Sequence, residues 1–140
     1  DNLDFVTLMA YDKTGTWSKD IGPHSPMSYF ETLCNACIGQ NVPKNKIIPG
    51  VPFYGRAFPD GKSSSAKDYS YDQIVKAFPG SENKDAIESE KLWYDGIPAM
   101  TQKCKYVTDN DLGGIMIWEV TMDSSDPAKS LMNVINKALN

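Results

Sequence analysis

The sequence is short of several things. It has no apolar run approaching the roughly 20 residues that a membrane-spanning helix needs. It has no cluster of Lys and Arg: 14 cationic and 18 acidic side chains leave a net charge of −4 over 140 residues. A pI near 4.9 without a basic patch speaks against a nucleic-acid partner, because phosphate binding demands neutralising cations. A membrane partner is likewise not expected. Histidine is almost absent, and a lone His24 disfavours a Ser-His-Asp or Cys-His hydrolase, although counting does not remove His24 from consideration. The three cysteines, Cys34, Cys37 and Cys104, are an odd number and cannot close into a complete disulfide set. Cys34 and Cys37 share one helix face, but zinc would need two further ligands. Free buried thiols are expected instead, with no metal and no cofactor. The opening Asp1-Asn2-Leu3-Asp4 runs towards a strand and is not expected to be a cleavable leader.

What is present suits one globular α/β domain. Hydrophobic residues make up 41% of the chain and aromatics 11%, too many for a disordered segment. Leu3 to Met9 reads as a nearly continuous apolar strand buried on both faces. Lys13 to Pro23 reads as a loop. Ser25-Pro26 predicts an N-cap and a first helical residue. A helix follows with Phe30, Leu33, Cys34, Cys37 and Ile38 on its buried face, closed by Gly39. Ile47 to Phe53 is a second strand, bent at its end by Pro49 and Pro52. Residues 59–97 form a short insertion. In it Ser63 to Ser65 should be flexible, Ser70 to Phe78 a short helix, Ser81 to Glu90 solvated, and Leu92 to Gly96 a strand and turn. Pro98 opens a helix with Met100, Cys104 and Val107 inside. Ile115 to Trp118 is a third buried strand. Asp126-Pro127 is expected to cap a last helix that buries Leu131, Val134, Ile135 and Ala138. Alternating strands and helices imply parallel βαβ units.

In parallel α/β folds the ligand site gathers at the carboxyl ends of the strands. The first strand ends in Met9-Ala10-Tyr11-Asp12, the second in Phe53-Tyr54-Gly55-Arg56, the third in Trp118-Glu119. These groups suit a sugar. An indole packs on the apolar face of a pyranose, while Asp12 and Arg56 offer charge-assisted hydrogen bonds to hydroxyls. Tyr11 can donate to an amide oxygen, and Trp17 and Trp93 could extend a cleft. The plainer alternative makes Asp12–Arg56 a salt bridge that seals a barrel end, Trp118 a core residue and Glu119 a solvated one. Tyr69 and Tyr71 are expected to pack locally.

At these residues the chain resembles the chitinases of glycoside hydrolase family 18. Leu8-Met9-Ala10-Tyr11-Asp12 is similar to that family's MxYD at the sixth barrel strand. Gly50-Val51-Pro52-Phe53-Tyr54-Gly55-Arg56 is similar to GVPFYGR at the seventh, and Gly113-Gly114-Ile115-Met116-Ile117-Trp118-Glu119 to GGxMxWE at the eighth. The resemblance implies the last three βα units of a TIM (β/α)8 barrel, residues 1–140 being a partial catalytic domain. A complete barrel takes about 250 residues. The family's DxxDxDxE motif, which carries the proton donor, occurs nowhere in the chain. The implied partner is therefore the missing N-terminal half of the barrel. The implied activity is retaining, substrate-assisted hydrolysis of β-1,4-linked N-acetylglucosamine polymers.

Carried over residue by residue, the resemblance gives Tyr11 and Asp12 the catalytic roles: Tyr11 holds the acetamido group and stabilises the developing charge, and Asp12 binds the sugar at the cleavage subsite. Arg56 would position Asp12, Trp118 would floor the subsite, Met9 and Tyr54 would line it, and Glu119 would lie beside it. The small 59–97 insertion implies an open groove and endo-type cleavage or a preference for shorter, soluble chains, and the family implies an extracellular or periplasmic location. The alternative within the family is a chitinase-like lectin that binds the same N-acetylglucosamine oligosaccharide or chitin without catalysis. A free-standing interaction domain is a third reading, since three parallel strands leave two open edges.

Overall fold

The computed structural model describes residues 2–140. Three strands, β1 (Val6–Leu8), β2 (Ile47–Pro52) and β7 (Met116–Trp118), form a parallel sheet in the order β1-β2-β7. Their register pairs Leu8 with Pro49 and Pro52 with Trp118. Each strand is followed by a helix on the same outer layer: α1 (Met27–Gly39), α3 (Ile97–Asp109) and α4 (Leu131–Leu139). Between β2 and α3 lies an antiparallel sheet of β3 (Tyr54–Ala57), β4 (Lys67–Ser70), β5 (Ala86–Ile87) and β6 (Leu92–Trp93), ordered β4-β3-β6-β5. A short helix, α2 (Tyr71–Ala77), covers it.

One core joins the two sheets. Val51, Phe30, Met100, Cys104, Val107, Leu131 and Ile135 pack beneath the parallel sheet, continuous with Ala57, Tyr71, Ile74, Leu92 and Tyr94 beneath the antiparallel one. Phe53 is the switch between them. Its N–H donates to the Trp118 carbonyl at 2.8 Å, and its own carbonyl accepts from the Tyr71 N–H at 2.9 Å. The chain therefore leaves the parallel sheet one residue before Tyr54. Tyr54 and Arg56 consequently stand on β3, not at the end of the β2 ladder, and the excursion from the parallel sheet begins at residue 54 rather than 59.

Other expectations are corrected by particular contacts. β1 is shorter than Leu3 to Met9 and is covered on one side only: Leu3, Phe5 and Met9 are exposed by 65%, 58% and 70%, because among the described residues nothing packs against that face. Ser25 does not cap α1. Pro26 occupies the N-cap with extended backbone, and the Ser25 hydroxyl donates to the Ala10 carbonyl at 3.0 Å. Gly39 is the last residue inside α1, and Gln40 follows it as the C-cap. Ser63 to Ser65 form a single 3-10 turn leading into β4, a strand the polar sequence does not advertise. The 81–90 stretch is only partly solvated. Ser81 is buried, and one oxygen of Asp85 accepts from the N–H groups of Gly96 and Ala99 at 3.0 and 3.1 Å, capping α3 from a distance. The last helix begins later than Asp126: Ser130 is its N-cap, and Asp123 accepts from the Leu131 and Met132 N–H groups. This shift leaves Ala138 exposed and packs Leu139 against the core.

Ser70 and Gln73 form the reciprocal capping box of α2, a device worth about 1 kcal/mol. Cys34 and Cys104 are free and buried, and burial pushes both thiols up to about 11, where the reactive thiolate is scarce at neutral pH. Among the described residues no helix is long and apolar enough to cross a membrane.

Candidate functional site

The site grows from one carboxylate. Asp12 follows β1 with its backbone in the left-handed region, φ 61°, which turns the side chain back over the sheet end. Its Oδ1 accepts from the Tyr54 hydroxyl at 2.6 Å and lies 3.0 Å from Arg56 Nη1. Burial works against ionisation of this carboxyl, but His24, Tyr54 and Arg56 outweigh burial and hold its pKa at about 2. Asp12 is therefore an anion throughout the working pH range of ordinary enzymes.

Arg56 is saturated by the protein. Its Nε and Nη2 grip the two oxygens of Asp68 at 2.6 and 2.9 Å, and Nη1 donates to the Thr14 carbonyl at 2.6 Å. Trp17 closes over it, with the guanidinium 5.0 Å from the ring centre. Arg56 is 5% exposed, so it acts as a strut between Asp12 and Asp68 and has few donors left for a ligand. The Tyr54 hydroxyl, buried and donating to the Asp12 anion, has its pKa raised by burial first and by that bond second.

The structure brings Asp12, Tyr54, Arg56 and Trp118 to one hollow of about 460 Å³. Trp118 is 53% exposed there, so the indole is not a core residue. Tyr11 lies one layer lower. It is 6% exposed, its ring meets Tyr54 edge-on at 6.3 Å, and its hydroxyl points to the Met116 sulfur at 3.9 Å. Gly50 makes room for that ring, since a Cβ there would stand 2.9 Å from Tyr11 Cε1 and 2.7 Å from the Leu8 carbonyl. Met9 and Glu119 are not among the residues that line the hollow. Met9 is exposed, and the Glu119 carboxylate accepts from the Thr121 hydroxyl. Trp93 belongs elsewhere, packed on Phe58 at 6.0 Å beside a second hollow.

Sequence reasoning missed Asp68, Tyr69 and Ser70 of β4 and Gln73 of α2, which form one wall of the hollow. It also left His24 without a role. The His24 ring stacks on Tyr54 at 4.8 Å and is 1% exposed. Lys67 to Ser70 is too short and too polar to read as a strand, so no pattern in the sequence pointed to Asp68.

A pH experiment follows from Asp12. Its folded pKa lies below the usual value of 3.8, at about 2, so its contribution to stability is fully present above pH 4 and is lost as pH falls through 2. Urea unfolding of the wild type and Asp12→Asn should give midpoints that differ at pH 5 and converge near pH 2. A gap that persists unchanged at pH 2 would contradict this assignment.

The sequence family described as Glycosyl hydrolases family 18 matches residues 1–123. Endochitinase 1 of Metarhizium robertsii is 29% identical over 171 aligned residues, covering 96% of this chain and 39% of that protein. Chitotriosidase-1 of Mus musculus is 28% identical and covers 87% of this chain and 34% of its own length. Among solved structures, the GH18 chitinase ChiB from the chitin utilization locus of Flavobacterium johnsoniae superposes with a TM-score of 0.87 at 37% identity, covering 96% of this chain and 42% of that one. The chain thus spans about two fifths of the length of such relatives.

Proposed function

This chain belongs to glycosyl hydrolase family 18, and from that premise we propose that it supplies the last three βα units of a chitin-hydrolysing barrel and most of its sugar-gripping surface. The observation that carries the reading is the single hollow shared by the exposed Trp118 indole and the clasped Asp12 carboxylate. A pyranose laid on the indole presents its equatorial hydroxyl and acetamido groups sideways, towards Asp12. Tyr54 and Arg56 hold Asp12 in one place, so little ordering remains to be done when the sugar binds.

The proposed reaction is substrate-assisted hydrolysis of β-1,4-linked N-acetylglucosamine with retention, a departure from the two-carboxylate scheme. The acetamido oxygen attacks the anomeric carbon while an acid from outside this chain protonates the departing oxygen. Water then opens the resulting oxazolinium ring. Asp12 orients the acetamido group and balances the positive charge that develops on it. Tyr11 donates to the acetamido oxygen. Its present acceptor, a thioether sulfur, is weak, so that hydroxyl is readily redirected. The chain contains no DxxDxDxE sequence to supply the acid, so the rest of the barrel is its proposed partner. An extracellular or periplasmic setting fits a polymer substrate that cannot enter a cell.

Two measurements test the reading. The 140-residue chain alone should release no fluorophore from 4-methylumbelliferyl chitobioside, and turnover by pure material would refute the division of labour. In a complete barrel carrying this segment, Trp118→Ala should weaken chitotriose binding by about ten- to a hundredfold, the ~1.5–3 kcal/mol of one buried aromatic contact. Trp93→Ala should change it less than twofold. Equal losses by calorimetry would place the sugar elsewhere.

A further inference from the structure

His24 is buried beside the site with half its chemistry unused. Its Nε2 lies 3.2 Å from the Tyr54 carbonyl. A carbonyl only accepts, so Nε2 carries a proton. The other nitrogen, Nδ1, is one of the few buried polar side-chain atoms without a hydrogen-bond partner among the described residues, and it faces Asp12 Oδ1 at 3.8 Å. In the neutral ring with Nε2 protonated, Nδ1 would turn a lone pair towards an anion. That arrangement is repulsive and leaves a buried polar atom unpaired, at real cost. A proton on Nδ1 turns that repulsion into attraction and gives Asp12 a third cationic or donor neighbour at ion-pair distance on the same oxygen as Tyr54 and Arg56.

We propose that His24 is a positioning residue for Asp12, acting as an imidazolium that bridges the Tyr54 backbone and the Asp12 carboxylate. It rests on the function proposed above, for which it names the group that sets the Asp12 orientation. The charges facing the ring are compatible with it. Asp12 and Tyr54 lie on one side, with the Arg56 cation compensated by Asp68. On the other side the neighbouring hollow brings Asp85, Glu88 and Asp95 against Lys84, and Asp95 is paired with Lys103. Asp12 and Asp68 share the single Arg56 cation, so that cluster keeps a net negative charge, and its Asp12 carboxylate faces the ring. The ring also stacks on Tyr54, so a shift in His24 would move both the hydroxyl and the carboxylate it serves.

Three substitutions in a complete barrel carrying this segment separate positioning from mere packing. His24→Asn places an amide N–H near the Nδ1 position, where it can reach Asp12 without titrating. His24→Gln places one near Nε2, where it can reach only the Tyr54 carbonyl. His24→Leu does neither. On 4-methylumbelliferyl chitobioside, His24→Leu and His24→Gln should lower kcat by ~10- to 100-fold, the cost of a misplaced catalytic group, with KM changed less than threefold. His24→Asn should recover most of kcat. Equal recovery by Gln and Asn would overturn the proposal. A readout free of turnover keeps it separate from the parent reading. Ring ¹⁵N shifts of His24, assigned as the signal lost in His24→Asn, should show both nitrogens protonated at mildly acidic pH, with Nδ1 losing its proton in Asp12→Asn at the same pH. A neutral ring indifferent to Asp12 would refute the bridge even in an active enzyme. An intact bridge in a protein without glycosidase activity would leave the bridge standing and sink the function.

Discussion

Lys103→Ala should destabilise the folded chain by about 3–5 kcal/mol, the usual cost of stranding a buried charge. Lys103 and Asp95 are 1% and 4% exposed, and Nζ bonds the Asp95 carboxylate, the Ser25 carbonyl at 2.7 Å and the Ser25 hydroxyl at 2.6 Å. The ammonium also stands 5.5 Å over the Phe30 ring. Three segments therefore meet on one cation: the loop before α1, the strand end after β6, and α3. Removing it leaves the Asp95 carboxylate without its countercharge and the Ser25 carbonyl without a donor. Urea denaturation followed by circular dichroism should show the midpoint fall steeply. The double variant Lys103→Met/Asp95→Leu should recover most of the loss, because a buried pair owes much of its apparent worth to the penalty of breaking it. A single variant as stable as the wild type would mean that water reaches this pair.

Asp12→Ala in a complete barrel should lower kcat on chitooligosaccharides by about 10²–10³, the range for losing one preorganised group aimed at developing charge. The carboxylate is already ionised and already clasped by Tyr54 and Arg56, so in the proposed reaction it would need no reorganisation as the acetamido group becomes cationic. KM should change far less than kcat, because the platform provided by Trp118 is untouched. Steady-state kinetics on chitotetraose measures both constants. A rise in KM alone would make Asp12 a binding residue and leave the charge to be balanced elsewhere.

Much of this was legible in the chain. Two of the polar strand ends could be read because the residue types change abruptly, from Leu8-Met9 to Tyr11-Asp12 and from Met116-Ile117 to Trp118-Glu119, where an apolar run stops at a sheet rim. The parallel order of β1, β2 and β7 followed from the alternation of strand and helix. What escaped was set by distance along the sequence. Ser25 and Lys103 are 78 residues apart, and a lysine on a helix between Met100 and Cys104 reads as a surface residue until its partners are placed. His24 offered one ring in a loop and nothing to orient it. Arg56 looked available to a ligand because its second carboxylate partner, Asp68, sits in a four-residue strand among polar neighbours. Tyr11 was placed at the rim by its position before Asp12, but the side-chain gap at Gly50 lets its ring sink against β2. Each miss concerns where a side chain is sent by a neighbour that local patterning does not reveal.

A crystal structure of a complete barrel bearing this segment, soaked with chitotriose, addresses the core of the account. It should show one pyranose flat on the Trp118 indole with its acetamido group within hydrogen-bond reach of the Asp12 carboxylate. A sugar lodged instead beside His24 and Trp93, with the Trp118 face bare, would contradict it.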